Sequence, residues 1–122
     1  MSGSSEDRLN DRIAKAGKVA VCWRWGLFKK KLAGNVVDIS VSGIQIHAPK
    51  PVPVGKKVKL DINLIASGME TDHFRLRGEV GRCVPGSGPG HFMIGIKLTS
   101  NRGNRGAWNE AIFAQLRARN EY

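Results

Sequence analysis

Residues Val58-Lys59-Leu60-Asp61-Ile62-Asn63-Leu64 alternate apolar and polar positions without a break, the two-residue period of a strand with one buried face. The same period runs through Val19, Val21 and Trp23 against Ala20, Cys22 and Arg24, and through Gly43-Ile44-Gln45-Ile46-His47. It recurs in Phe74, Leu76, Gly78 and Val80, whose parity extends to Arg82 while Arg75 and Arg77 take the other face. Leu32 to Ser40 and His91 to Leu98 form two further extended runs. Between these runs lie breakers. Gly26 to Lys31 reads as a basic connection, Pro49, Pro51, Pro53 and Gly55 punctuate one crossing, and Ala66 to Asp72 forms another. Pro85-Gly86-Ser87-Gly88-Pro89-Gly90 turns the last two strands into a hairpin. From Ala107 to Tyr122 the period changes, with Trp108, Ile112 and Leu116 on one helical stripe.

Six strands and a terminal helix predict a mainly β fold, a six-stranded antiparallel β-barrel with a C-terminal α-helix over an open end or flank. Residues 1–17 lack an apolar period and read as a flexible N-terminal arm, leaving 18–122 as a single folded domain. The 122 residues, 41% of them hydrophobic, suit one core rather than two. No run approaches the roughly 20 apolar residues of a membrane-spanning helix. Met1 to Asp7 also lack the apolar stretch of a signal peptide, so the expected location is the cytoplasm. Cys22 and Cys83 show neither disulfide-framework nor zinc spacing and are expected to be reduced.

A formal net charge of +10 predicts attraction to polyanions and phosphorylated ligands. Catalysis finds little support. The chain has no Gly-x-Ser-x-Gly elbow, no Walker loop and no His-Glu-x-x-His helix, and His47, His73 and His91 are not spaced as metal ligands. The expectation is a protein that is not an enzyme and carries no cofactor or metal.

One motif stands above chance. Asp38-Ile39-Ser40-Val41-Ser42-Gly43 is an Asp-x-Ser-x-x-Gly pattern that a shuffled chain of this composition would contain only ~0.04 times. Upstream, Arg8 and Arg12 form an Arg-x-x-x-Arg element, a spacing expected ~0.7 times by chance and therefore weak by itself. Arginine's planar fork binds a phosphate or a guanine O6/N7 edge bidentately. A carboxylate such as Asp38 accepts from guanine N1 and N2, and Ser40, two residues on, would share its face of an extended segment. Gly43 permits positive φ and a close ligand approach. Asp-x-Ser-x-x-Gly equally describes an ordinary tight turn in which Asp and Ser cap backbone amides.

The two elements in this order resemble the signature of PilZ domains, which bind cyclic di-GMP and have a six-stranded barrel. Arg77-Gly78-Glu79-Val80-Gly81-Arg82 and Met93-Ile94-Gly95-Ile96-Lys97-Leu98 look like that family's fifth and sixth strands. The resemblance implies a bacterial receptor in which Arg8, Arg12, Asp38, Ser40 and Gly43 line one pocket and Arg82 meets the second guanine. It implies that an ordered arm signals to a downstream protein partner controlling motility, exopolysaccharide synthesis or biofilm formation. Two alternatives stand beside it. The charge, the runs Lys29-Lys30-Lys31 and Lys56-Lys57, and Trp23 and Trp25 suit a nucleic-acid-binding small barrel. Asp7 and Asp11, which can pair with Arg8 and Arg12, suit a PilZ-like interaction module that binds no nucleotide.

Overall fold

The computed structural model describes residues 13–65, 71–86, 88, 90–99 and 105–120. Six strands, β1 (Ile13–Trp25), β2 (Phe28–Ile39), β3 (Gly43–Ala48), β4 (Lys57–Ile65), β5 (Thr71–Pro85) and β6 (Phe92–Leu98), precede one helix, α1 (Arg105–Asn120). Every paired neighbour is antiparallel, and the order β1-β2-β3-β6-β5-β4 closes on itself. Among the described residues, closure leaves every strand of the wall with a neighbour on both sides. The expected barrel and terminal helix are thus both present.

The alternation of β4 appears directly as burial. Val58, Leu60, Ile62 and Leu64 point inward, to meet Val21, Ile44, Ile46, Phe74, Leu76, Ile94 and Ile96 in one apolar core. Trp108 and Ile112, one helical turn apart, complete that core, and the Trp108 ring meets Phe74 edge to face at 5.2 Å. The side chain of Leu116 lies outside the described residues.

Several boundaries differ from the sequence expectation: β5 takes in Thr71, Asp72 and Pro85 from the expected connections and α1 begins at Arg105 rather than Ala107, but the largest differences are in β1 and β2. β1 begins at Ile13, so residues 13–17, expected in the arm, belong to the barrel, whereas residues 1–12 lie outside the described part. Ala14, Lys15, Ala16 and Gly17 give little apolar contrast, which hides their strand period. Pairing decides the matter, because Gly17 sits between Val36 and Leu64. A Cβ added at Gly17 would come within 2.5 Å of the Asn63 carbonyl oxygen, so only glycine fits there. β2 likewise begins at Phe28, which places Lys29, Lys30 and Lys31 on a strand. Gly26 and Leu27 alone make the turn, with Gly26 at φ 64° and Leu27 at negative φ, the pattern of a type II′ hairpin.

Candidate functional site

β2 ends at Ile39, and Ser40-Val41-Ser42-Gly43 turns into β3 with the Ser40 amide donating to the Gly43 carbonyl at 2.8 Å. Ser40 is fully buried. Its hydroxyl oxygen accepts from the Gly43 amide at 3.0 Å and lies 3.2 Å from the Gly43 carbonyl. The carbonyls between are also held from outside the turn. The Trp108 indole donates to Ser40 O at 3.0 Å, Arg105 Nη2 to Val41 O at 3.1 Å, and the Leu98 amide to Ser42 O at 2.9 Å. Burial lowers the pKa of Arg105 from its ordinary value, while Nε of the same guanidinium donates to Asn109 at 3.2 Å. Helix and barrel together fix the shape of this turn.

Asp38 and Arg82 reach one surface through the same device. In β2 the register with β3 passes from Val36↔Ile46 to Asp38↔Gln45, leaving Val37 as a bulge. In β5 it passes from Val80↔Ile96 to Arg82↔Gly95, leaving Gly81 as a bulge. An extra residue reverses the parity of the strand positions after it, so Asp38 and Arg82 leave the inward rows of Val36 and Val80 and turn to the outer face. Arg82 is exposed and Asp38 half-buried, whereas Val36 and Val80 are core. The inward parity read for Arg82 from sequence is corrected by this bulge.

The register then aligns them. Ala14, Asp38, Gln45, Gly95 and Arg82 are successive partners across five strands. Asp38 and Arg82 are three strand spacings apart, roughly 14 Å. Gly95 between them presents no side chain, and the floor of the row stays low. Around it lies a cleft of about 520 Å³, lined by Ser42, Gly43 and Gln45 from the turn and β3, by Arg82 from β5, and by Met93, Gly95 and Lys97 from β6.

The expected site residues fall into three groups. Gly43 and Arg82 line the cleft, and Asp38 flanks it as the register partner of Gln45. Ser40 faces inward rather than sharing Asp38's face, because the strand ends between them and the turn takes up its hydroxyl. Arg8 and Arg12 lie outside the described residues. The described chain begins at Ile13, the partner of Ile39, one residue before Ala14 in the row of Asp38. Gly43 opens β3 opposite Lys97. Left-handed φ is found at Gly26, Gly55, Gly88 and Gly90 instead, so Gly43 is not held there by backbone strain. Gln45 and Lys97 were absent from the sequence expectation, although each alternates with core residues and so had to face outward. Only the register shows that both line the same cleft. Among the described residues no group of His, Cys, Asp and Glu is arranged to hold a metal ion, and no helix is long and apolar enough to cross a membrane. Cys22 and Cys83 are free.

The family model of the PilZ domain matches residues 6–113. Among solved structures, that of the Bacillus subtilis inhibitor of motility (MotI/DgrA) is similar with a TM-score of 0.61 at 13% sequence identity, over 86% of this chain and 49% of its own. The chain spans about half the length of that protein, and at this identity the likeness is one of fold. No curated protein matches the sequence.

Proposed function

From the premise that the chain belongs to the PilZ domain family, whose model covers most of its length, we propose that it is a receptor for cyclic di-GMP. The observation that supports this best is the shared row of Asp38 and Arg82 beside the rigid Ser40–Gly43 turn. Cyclic di-GMP carries two phosphates and two guanines, so its site needs forked cations and an acceptor for N1 and N2 protons. Arg8 and Arg12 supply the forks to the phosphates and one O6/N7 edge. Asp38 accepts from one guanine edge, the small Gly43 lets the ligand approach the backbone, and Arg82 meets the second base across the row. Ser40 acts from within, by holding the turn.

The signal is the ordering of the Arg8–Arg12 segment over the ligand, which changes the surface offered to a downstream protein without chemistry. The output belongs to motility, exopolysaccharide synthesis or biofilm formation, in a bacterial cytoplasm. Isothermal titration of cyclic di-GMP into the wild type and into Arg8→Ala/Arg12→Ala tests the reading, with GTP as control. Saturable heat lost in the double variant is expected. A wild type that gives no heat, or a double variant that binds as tightly, overturns it. Retention on oligonucleotides that falls steeply with salt would instead favour a nucleic-acid barrel.

A further inference from the structure

The β1–β2 hairpin runs beyond the barrel wall. Pairing of β1 with β4 stops at Cys22↔Lys59 and pairing of β2 with β3 stops at Asn35↔His47, so Trp23 to Lys31 stand as a two-stranded ribbon. Its tip is apolar and uncovered: Leu27 is 99% exposed, Phe28 72% and Trp25 55%. Trp25 and Phe28 are direct register partners and share one face. The Lys56 ammonium lies 5.1 Å from the Trp25 ring centre, which brings the Pro53–Lys56 turn alongside. That turn carries Val54, itself 62% exposed. A type II′ turn demands glycine first and is normally polar thereafter, so neither Leu27 nor Phe28 is required by the hairpin.

Cations surround this tip. Arg24 opposes Lys29, Trp23 opposes Lys30, Lys31 follows, and Lys56 flanks the ribbon at Trp25, with Lys57 next to it at the start of β4. Residues 22–31 and 49–60 contain no Asp or Glu; the carboxylates nearest this collar are Glu79, across from Lys57, and Asp61, close enough to Lys31 to feel its charge, both on the barrel wall. An apolar point inside a cationic collar suits an anionic bilayer, where the tip enters the acyl boundary and the lysines remain among headgroups. A nucleic acid would use the collar and the rings, but Leu27 and Val54 offer no face on which a base stacks. A second copy of the chain would bring two collars of like charge together. We infer that the β1–β2 hairpin is a membrane-docking element that inserts Leu27, Phe28 and Trp25 into an anionic lipid surface. It stands at the opposite end of β2 from the Ser40 turn, roughly 35 Å away along the strand, and so leaves the cleft accessible while the protein is docked.

Co-sedimentation of the full chain with phosphatidylcholine vesicles, with and without a quarter of phosphatidylserine, tests this at near-physiological salt. Uptake by the anionic vesicles alone is expected. Leu27→Glu should lower it by about tenfold or more, with an unchanged melting temperature because Leu27 supports nothing in the fold. Brominated acyl chains should quench the wild type's tryptophan fluorescence, and Trp25→Phe should remove that quenching. Absence of uptake overturns the inference, as does equal uptake of Leu27→Glu, which would mean charge adsorption without insertion. Oligonucleotide retention without vesicle uptake would assign the surface to nucleic acid and overturn it too.

Discussion

The indole N–H of Trp108 donates to the Ser40 carbonyl oxygen at 3.0 Å, tying the terminal helix to the turn between β2 and β3. Both residues are fully buried, so neither group has water to fall back on. Trp108→Phe keeps a ring edge against Phe74 and removes the donor. Leaving the buried carbonyl unsatisfied should cost about 1–3 kcal/mol, read as a lower urea midpoint with an unchanged slope. On the proposed function, looser turn geometry should weaken cyclic di-GMP binding as well.

Ser40→Ala tests the same turn from inside. The Gly43 amide loses its 3.0 Å acceptor, and the expected loss of stability is about 1–2 kcal/mol. A variant as stable as the wild type that nevertheless fails to bind would show that the hydroxyl serves the ligand rather than the turn.

Gly78 marks a close approach in the wall. An added Cβ would lie 2.6 Å from Ile96 Cγ2 and 2.7 Å from the Lys97 carbonyl oxygen. Gly78→Ala should therefore destabilise by roughly 1–3 kcal/mol through overpacking, with a lowered melting temperature as the readout. Gly81→Ala is its control, since its nearest neighbour would be a carbonyl at 3.8 Å.

The core was legible because β4, β3 and the helix state their periods in aliphatic residues, and Val58, Leu60, Ile62, Ile44, Ile46 and Trp108 all point where alternation places them. The site was legible only as a motif. Asp38 and Arg82 share an outward row because Val37 and Gly81 are bulges, and no period reveals an extra residue. Counting Gly81 as one more strand position places Arg82 with Val80, on the wrong face. Ser40 departs from its expected face for a related reason: the i, i+2 rule holds only while the strand lasts, and β2 stops at Ile39. Lys29 to Lys31 read as a connection because three lysines carry no period; a two-residue turn makes them strand.

Asp61 hydrogen-bonds His73 on the outer face of β4 and β5, and that bond, aided by the charges of His73, Arg75 and Lys31 and opposed by slight burial, lowers its pKa from the ordinary carboxylate value. A folded pKa below the unfolded one means that the folded state binds fewer protons. The stabilisation is fully present above the unfolded value of about 4 and is lost as pH falls through the lowered folded value. Both side chains are nearly half exposed, so screening keeps the effect at ~0.5 kcal/mol or less. Asp61→Asn should accordingly lower stability slightly at about pH 5, and its deficit should shrink as the pH falls below the unfolded value. A deficit independent of pH would assign the loss to packing.

Arg82 separates fold from recognition most cleanly, because it is exposed and lines the cleft. Arg82→Lys keeps the positive charge and removes the planar fork. If Arg82 reads a guanine edge bidentately, affinity for cyclic di-GMP should fall by roughly 1–3 kcal/mol, about five- to 150-fold. Stability should stay within about 0.5 kcal/mol of the wild type, as for surface changes generally. Asp38→Asn probes the other end of the row: the carboxylate accepts two guanine protons, whereas an amide offers one acceptor and two clashing donors. Its affinity should fall by at least as much. If Arg82→Lys binds normally while Asp38→Asn does not, the ligand occupies only the Asp38 end of the row, and Arg82 contributes charge rather than base recognition.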